Sequence, residues 1–225
     1  MRELIGIVVL HGLLLCSNLA FAASQEAAER IAIGKKLLGQ GKFEAAIGEF
    51  QKAAAVDPKD GAVQLNLGHA YERANRSDEA IDAYRKSIEL APHNFYARNN
   101  LGVLYDKKGM YDEAIAQFQN ALKNDPDNAM ALKNLETAKK NKAAMQEREA
   151  VIARAEKDAA AKPGDPTPTY QLARVYATFG RSKEAIEWLG KAIQQGYKDL
   201  AYVRTDPAFA NIRDERDFQL LLLSK

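Results

Sequence analysis

Apolar residues recur along most of the chain at steps of three and four, the spacing that places them on one face of an amphipathic helix. Residues 61–73 predict a first helix of this kind, and Asn75–Asp78 predict the turn after it. A second helix is predicted from Glu79 to Leu90, with an apolar face formed by Ala80, Ile81, Tyr84 and Ile88. Pro92 stops this helix, because proline disfavours helical backbone in the residue before it.

This helix pair returns with a period of 34 residues. Four columns keep the step, namely Gly34, Gly68 and Gly102; Ala46, Ala80 and Ala114; Phe50, Tyr84 and Phe118; and Pro58, Pro92 and Pro126. The small residues let two helices approach closely, and the aromatic residue fills the gap against the next repeat. Because one pair alone cannot bury its apolar face, we expect the pairs to stack as an array.

These columns resemble the tetratricopeptide repeat (TPR). The second repeat matches its pattern at Leu67, Gly68, Tyr71, Ala80, Tyr84 and Pro92. The third matches at Leu101, Gly102, Tyr105, Gly109, Tyr111, Ala114, Phe118, Ala121 and Pro126, and the first at Ile33, Gly34, Gly41, Phe43, Ala46, Phe50, Ala53 and Pro58. The first repeat departs from the pattern at Arg30 and at Leu37, where tyrosine is usual. Within 23–128, the resemblance implies three repeats over 27–60, 61–94 and 95–128, forming an all-α solenoid wound as a right-handed superhelix.

The period breaks after residue 128, where Glu136 occupies the glycine column. No glycine or proline occurs between Asp127 and Pro163, so the segment 129–162 predicts one long connecting helix over about 129–161. At 1.5 Å per residue this helix would be about 50 Å long. The alternative is a helix pair with a turn near Asn141.

The repeat pattern returns in the segment 163–225, shifted by three residues. Its matches are Leu172, Ala173, Tyr176, Gly180, Ala185, Ile186, Leu189 and Ala192, and Gly196 ends the second helix. The tail that follows is interpreted as a cap rather than a binding element, because terminal repeats need a cover for their exposed face. Its predicted anchors are Asp206, Pro207, Phe209, Ile212, Phe218 and Leu221.

Residues 1–22 have the layout of a cleaved secretory signal. Arg2 precedes an apolar run of about a dozen residues, and Ala20-Phe21-Ala22 forms a small-residue cleavage site. We expect cleavage after Ala22 and a periplasmic or secreted protein without stable membrane insertion, because the run is shorter than the roughly 20 residues of a membrane span. Cys16, the single cysteine, lies in this segment, and Leu15 before it disfavours lipidation.

Composition and charge change this picture little. The chain has 225 residues and a formal net charge of +2, and this charge gives no indication of nucleic-acid binding. The two histidines outside the signal, His69 and His93, have no neighbouring ligands at metal spacing, and no catalytic or phosphate-binding motif occurs. We therefore expect a non-enzymatic protein without a cofactor or metal.

The resemblance implies that the first helices line a concave groove that holds a protein or peptide segment. In this family the sixth position of each repeat often carries asparagine, whose amide can both donate to and accept from a peptide backbone. Here that column reads Ala32, Asn66, Asn100 and Asn134, with Gln171 in the shifted repeat. The flanking candidates are Lys35, Leu38, Leu65, His69, Arg73, Tyr96, Asn99, Val103 and Lys107. Alternatively, the asparagines bridge neighbouring helices.

Two residues argue against one ligand known for the family. Clamps for the acidic C-terminus of a chaperone need cations where this chain has Tyr96 and Asn100. The expected function is therefore a scaffold, assembly factor or chaperone-type protein for another partner segment. The alternative is a structural protein that associates with itself as a homo-oligomer through the long helix and the apolar tail.

Overall fold

The computed structural model describes residues 22–123 and 125–223. Cys16 and the predicted signal up to residue 21 lie outside these residues. The described residues form helices and contain no strand. Helix α1 covers 22–39, followed by α2 (Phe43–Val56), α3 (Gly61–Arg73), α4 (Ser77–Leu90), α5 (Phe95–Lys107), α6 (Tyr111–Leu122), α7 (Ala129–Ala161), α8 (Pro166–Thr178), α9 (Ser182–Gln194), α10 (Leu200–Thr205), a 3-10 turn (Pro207–Phe209) and α11 (Arg216–Leu223).

The helices alternate between two kinds of start. The first helices α3, α5 and α8 begin after Asp60, Asn94 and Asp165, whose side chains accept a hydrogen bond from a backbone N–H of the first turn. The second helices α2, α4 and α9 follow a left-handed residue, which is Gly41, Asn75 and Gly180 respectively. The left-handed backbone reverses the chain direction, so α4 begins at Ser77, two residues before the predicted start.

The glycine column brings paired helices into direct contact. A Cβ atom on Gly68 would lie 2.5 Å from the Tyr84 ring, and Gly34 and Gly102 face Phe50 and Phe118 at 2.6 Å. All three rings are fully buried. The aromatic column therefore packs on the backbone of the first helix in its own repeat, where a side chain would exclude it.

The chain divides into two compact bodies, the N-terminal body up to Lys142 and the C-terminal body from Ala143. The core of the N-terminal body consists of two clusters, around Phe50 and around Tyr84 and Phe118. The C-terminal body has one cluster, in which α8 and α9 pack with the tail through Val203, Phe209, Ile212, Phe218 and Leu222. The all-α solenoid with a capping tail is thus confirmed.

Helix α7 is one uninterrupted helix of 33 residues, in agreement with the first of the two sequence interpretations. Its early residues Ala131 and Ala138 are buried in the N-terminal body, while Ile152 and Ala159 are buried in the C-terminal body. Every side chain between Ala143 and Val151 is exposed. Within the described residues, no helix has the length and apolar character needed to cross a membrane.

Candidate functional site

Consecutive first helices of the N-terminal body are joined by side chains about one repeat apart. Lys107 Nζ donates to Glu72 Oε1 at 3.0 Å, which links α5 to α3. Asn134 Nδ2 donates to Asn99 Oδ1 at 2.9 Å, and Asn141 Nδ2 donates to both Asp106 oxygens at 3.0 and 3.1 Å. These bonds place α3, α5 and the start of α7 side by side.

We call the surface that these helices share the first-helix face. The repeat register aligns α1 with it through Gly34, which packs on Phe50 as Gly68 does on Tyr84. The face consists of Lys35, Leu38, Leu65, Asn66, His69, Glu72, Arg73, Tyr96, Asn99, Asn100, Val103, Asp106, Lys107, Met130, Lys133, Asn134 and Asn141. Side-chain contacts join Asn99, Asn100, Asn134 and Lys107 to their neighbours on this face, and the repeat register assigns the other predicted residues to it.

The asparagine column is half-buried, and each member donates one internal hydrogen bond. Asn66 Nδ2 donates to Ala62 O of its own helix at 2.9 Å, and Asn100 Nδ2 donates to the Tyr84 hydroxyl at 3.4 Å. Asn134 bridges two helices through Asn99, as the alternative interpretation expects. Among the described residues, the Oδ1 atoms of Asn66 and Asn134 accept no hydrogen bond. The column can therefore both bridge neighbouring helices and accept a hydrogen bond from a partner.

Asn99 is the polar centre of the face. Its side chain is only 3% exposed, yet it occupies the register position that Leu65 fills one repeat earlier. Its Nδ2 lies 3.5 Å from Asn100 Oδ1 and 3.4 Å from Met130 Sδ, while its Oδ1 accepts from Asn134. Asn99 therefore fixes the neighbouring amides rather than projecting toward a partner, which its place in the repeat pattern did not reveal.

Two large apolar side chains stand open on the face. Tyr96 is 63% exposed, with the Phe95 ring edge-on to it at 5.5 Å, and Met130 is 54% exposed. Both occupy the second position of a first helix, 34 residues apart. Sequence reasoning identified Tyr96 and missed Met130, although the period itself would have indicated it.

The cations of the face differ in their partners. Lys107 pairs with Glu72, whose second oxygen accepts from the Tyr84 hydroxyl at 3.3 Å. Lys35 and Lys133 are exposed and form no ion pair within the described part of the chain. Arg73 also lacks a carboxylate there and instead lies over the Phe43 ring at 4.8 Å.

The remaining predicted residues serve packing or solvent contact. Leu65 and Val103 are half-buried and pack on the core around Tyr84, and Leu38 packs on the core around Phe50. His69 is exposed. Burial raises the pKa of the Tyr84 hydroxyl, because the ionised form would lose water and face Glu72. Tyr84 is therefore a neutral structural donor.

Gln171 lies in the C-terminal body, where its Oε1 accepts from Arg174 Nη1 at 2.8 Å. The neighbouring side chains on α8 hold the tail. Tyr170 OH donates to Asp206 Oδ2 at 2.5 Å, and Arg174 Nε forms an ion pair with the same oxygen at 2.8 Å. Tyr170 also stacks on Tyr197, with ring centroids 4.1 Å apart, and packs against Phe209 at 6.0 Å.

Asp206 is the charged tail residue at the centre of this contact. Burial alone would raise the pKa of its carboxyl, but bonds from the Tyr170 hydroxyl and the Ala208 N–H, with the Arg174 charge, lower it below the usual value. Burial and the same carboxylate raise the pKa of Tyr170. The chain's own tail thus covers Tyr170 and contacts Arg174 on α8, while Gln171 beside them stays exposed.

The site chemistry is that of a binding surface. Across residues 22–123 and 125–223, no three side chains of the metal-binding types converge. The strongly raised pKa values belong to buried tyrosines whose hydroxyls bond to carboxylates, as when burial and Glu156 raise the pKa of Tyr176 to about 12. The open groups are amides, cations and two apolar side chains, which can hold a polypeptide segment.

Three solved structures are similar in fold. The second TPR domain of the human RPAP3 protein, in complex with HSP70 peptide SGPTIEEVD, has a TM-score of 0.50 and 24% identity, covering 52% of this chain and 98% of that one. The first TPR of Spaghetti (RPAP3), bound to HSP90 peptide SRMEEVD, has a TM-score of 0.51 and 24% identity, with coverages of 52% and 93%. The MamA protein has a TM-score of 0.50 and 24% identity, with coverages of 80% and 96%.

No curated protein matches the chain. Family models described as tetratricopeptide repeat match residues 31–95, 95–128 and 170–195. These matches cover the three N-terminal repeats and the helix pair of the C-terminal body, and together they span more than half of the chain. The chain therefore belongs to the tetratricopeptide-repeat family.

Proposed function

We propose that the N-terminal body holds an extended segment of a partner protein on its first-helix face, as a non-enzymatic scaffold, assembly factor or chaperone-type protein. The observation that carries this proposal is the half-buried asparagine column, in which the amide oxygens of Asn66 and Asn134 accept no hydrogen bond from the described residues. The exposed Tyr96 side chain lies on the same face. Repeats of the same fold hold HSP70 and HSP90 peptides in the RPAP3 structures, which supports a polypeptide ligand.

Site-specific photo-crosslinking tests where on this chain the partner binds. A benzophenone amino acid replaces Tyr96 on the first-helix face, and in a second variant it replaces Gln119, an exposed residue of α6. We expect partner adducts from position 96 and none from position 119. Equal labelling from both positions, or labelling from neither, contradicts the proposal.

The amide column is tested by substitution. Asn66, Asn100 and Asn134 are changed together to alanine, which removes the amide groups, and the matched control changes Lys86, Glu89 and Gln119, all exposed on second helices. We expect the asparagine variant to lose at least about tenfold in adduct yield, in the direction of a weaker affinity. Unchanged yield, with helix content intact by circular dichroism, would remove the column from the site.

We further propose that the chain is exported and cleaved after Ala22, because its first residues have the layout of a secretory signal. Intact-mass spectrometry of the protein from the periplasmic or secreted fraction should show a chain that starts at Ala23 and lacks Cys16. A mature chain that retains Cys16 with an attached lipid would overturn this expectation.

Self-association is a second candidate, favoured by the exposed apolar residues of α11. Leu220 is 51% exposed and Leu223 is 71% exposed. Light scattering coupled to size-exclusion chromatography decides the question, since a monomer at every concentration removes this function.

A further inference from the structure

We infer that the segment held by the first-helix face is acidic and carries one large apolar side chain, with its carboxylates near Lys35 and Lys133 and its apolar side chain between Tyr96 and Met130. This inference rests on the proposed function and specifies the chemistry of the partner. It concerns carboxylates on side chains within a segment, not the terminal carboxylate of a chaperone.

The first argument is the charge that the face leaves open. Its two carboxylates are already bonded, since Glu72 accepts from Lys107 and Tyr84, and Asp106 accepts twice from Asn141. Among the described residues, Lys35, Arg73 and Lys133 have no carboxylate partner. Glu72 is neutralised by Lys107, whereas Asp106 is bonded to the neutral amide of Asn141 and keeps its charge. A ligand therefore meets three unpaired cations and one unpaired carboxylate on this face, although the whole chain has a formal net charge of only +2.

The second argument is the tail segment that packs on the equivalent positions of α8 in the C-terminal body. Helices α3, α5 and α8 each have 13 residues and start after an Asp or Asn cap, so their positions correspond one to one. Tyr170 corresponds to Leu65 and Asn99, and Arg174 corresponds to His69 and Val103. On α8 these two positions receive an aspartate, Asp206, and the ring of Phe209.

The same register extends this comparison to the open cations. Lys133 is the fifth residue of α7 and corresponds to Tyr170, while Lys35 corresponds to Arg174 through the glycine column. The N-terminal body therefore has positive groups at the positions where α8 binds a carboxylate. The chain's own tail provides the example of a segment, acidic and then aromatic, that such a surface accepts.

The third argument is the apolar pair. Among the described residues of the N-terminal body, Tyr96 and Met130 are the two most exposed large apolar side chains. Met130 is held in place by Asn99 Nδ2 at its sulfur, and Tyr96 by the edge-on Phe95 ring. The two side chains occupy the same position on neighbouring first helices, and a flexible methionine adapts to apolar side chains of different shapes. This pair therefore suits one anchor of varied identity.

The test begins with a selection. A phage library of random twelve-residue peptides is panned on the purified full chain, and the bound sequences are compared with the unselected library. We expect enrichment of aspartate and glutamate together with one aromatic, leucine or methionine residue. Peptides that carry the benzophenone group should label the first-helix face.

A matched pair of variants then measures the charge effect on one selected peptide. Lys35→Glu with Lys133→Glu reverses two charges on the face, and Lys86→Glu with Lys123→Glu makes the same change at exposed positions off it. By fluorescence anisotropy we expect the first variant to raise Kd at least about tenfold and the second less than about twofold. Raising the salt from 0.05 to 0.5 M should weaken binding to the unchanged protein, because exposed pairs are screened.

The outcomes separate the two proposals. The inference is overturned if the enriched peptides are neutral or basic, or if both variants shift Kd equally. In either case, labelling of the first-helix face would still support the proposed function. Peptides that label elsewhere, or a library without enrichment, count against the proposed function itself. A salt-independent Kd also overturns the inference, even where the charge-reversed variant fails to fold.

Discussion

At the residue scale, the glycine column makes the most specific demand on the sequence. Gly68→Ala would place a methyl group 2.5 Å from the fully buried Tyr84 ring, so helix or ring must move. Overpacking of this kind costs about 1–3 kcal/mol. We expect a lower urea midpoint, followed by far-ultraviolet circular dichroism.

Gly48 provides the control for this substitution. It lies inside α2, and no atom lies within 4 Å of the Cβ that alanine would add. Gly48→Ala is expected to stabilise the helix by about 0.5–1 kcal/mol through its propensity. If both substitutions shift the midpoint in the same direction, close packing is not what the glycine column provides.

Asp206 predicts how the C-terminal body responds to acid. Because its folded pKa is lowered, its carboxylate stabilises the fold above the unfolded pKa of about 3.9, and this contribution is lost as the pH falls below that value. Asp206→Asn should destabilise the C-terminal body by about 3 kcal/mol at pH 7, since Arg174 loses its buried partner. The variant should also show a weaker dependence of stability on pH between about 5 and 3.

Trp188, the single tryptophan, lies in α9 and reports on the C-terminal body alone. Urea midpoints from its fluorescence at several pH values test the prediction, with Asp214→Asn as the exposed control. A variant whose midpoint falls with acid as steeply as that of the unchanged protein would show that Asp206 is not the titrating group.

At the element scale, α7 is unusual because its middle buries no side chain, although the Arg148 guanidinium lies over the Phe179 ring, 5.4 Å from its centroid. Residues 143–151 are exposed throughout, while Ala138 and Ile152 on either side are buried. Apart from this cation–π contact, the middle depends on helix propensity and backbone bonds, and isolated helices of such length are marginal in water. Local opening there should need less free energy than opening of the buried turns.

Hydrogen exchange followed by mass spectrometry measures this difference. We expect amides in 143–151 to exchange at least about tenfold faster than those in 131–138, which corresponds to about 1.4 kcal/mol of opening free energy. Equal protection along α7 would show that the exposed stretch is stabilised by contacts that its exposed side chains do not indicate.

At the scale of the whole molecule, periodic features were predictable and contacts within the face were not. The 34-residue step predicted the helix pairs and their close approach at the glycine column, and the lack of glycine and proline predicted α7. The aromatic column was expected to pack against the next repeat, whereas the Tyr84 ring lies directly on Gly68 of its own repeat. A sequence period does not identify hydrogen-bond partners. The burial of Asn99, which its bond to Asn134 makes possible, was therefore not predicted from the sequence.

The bonds between neighbouring repeats have a further consequence. In the N-terminal body, the pairs Asp78–Lys108, Glu72–Lys107 and Asp106–Asn141 join residues only 30 to 35 positions apart. Loops of this size close with a modest entropy cost, and topologies dominated by such separations fold quickly. Each repeat can therefore find its neighbour without waiting for distant parts of the chain, and copying one 34-residue unit would lengthen the first-helix face without changing the contacts of the other repeats.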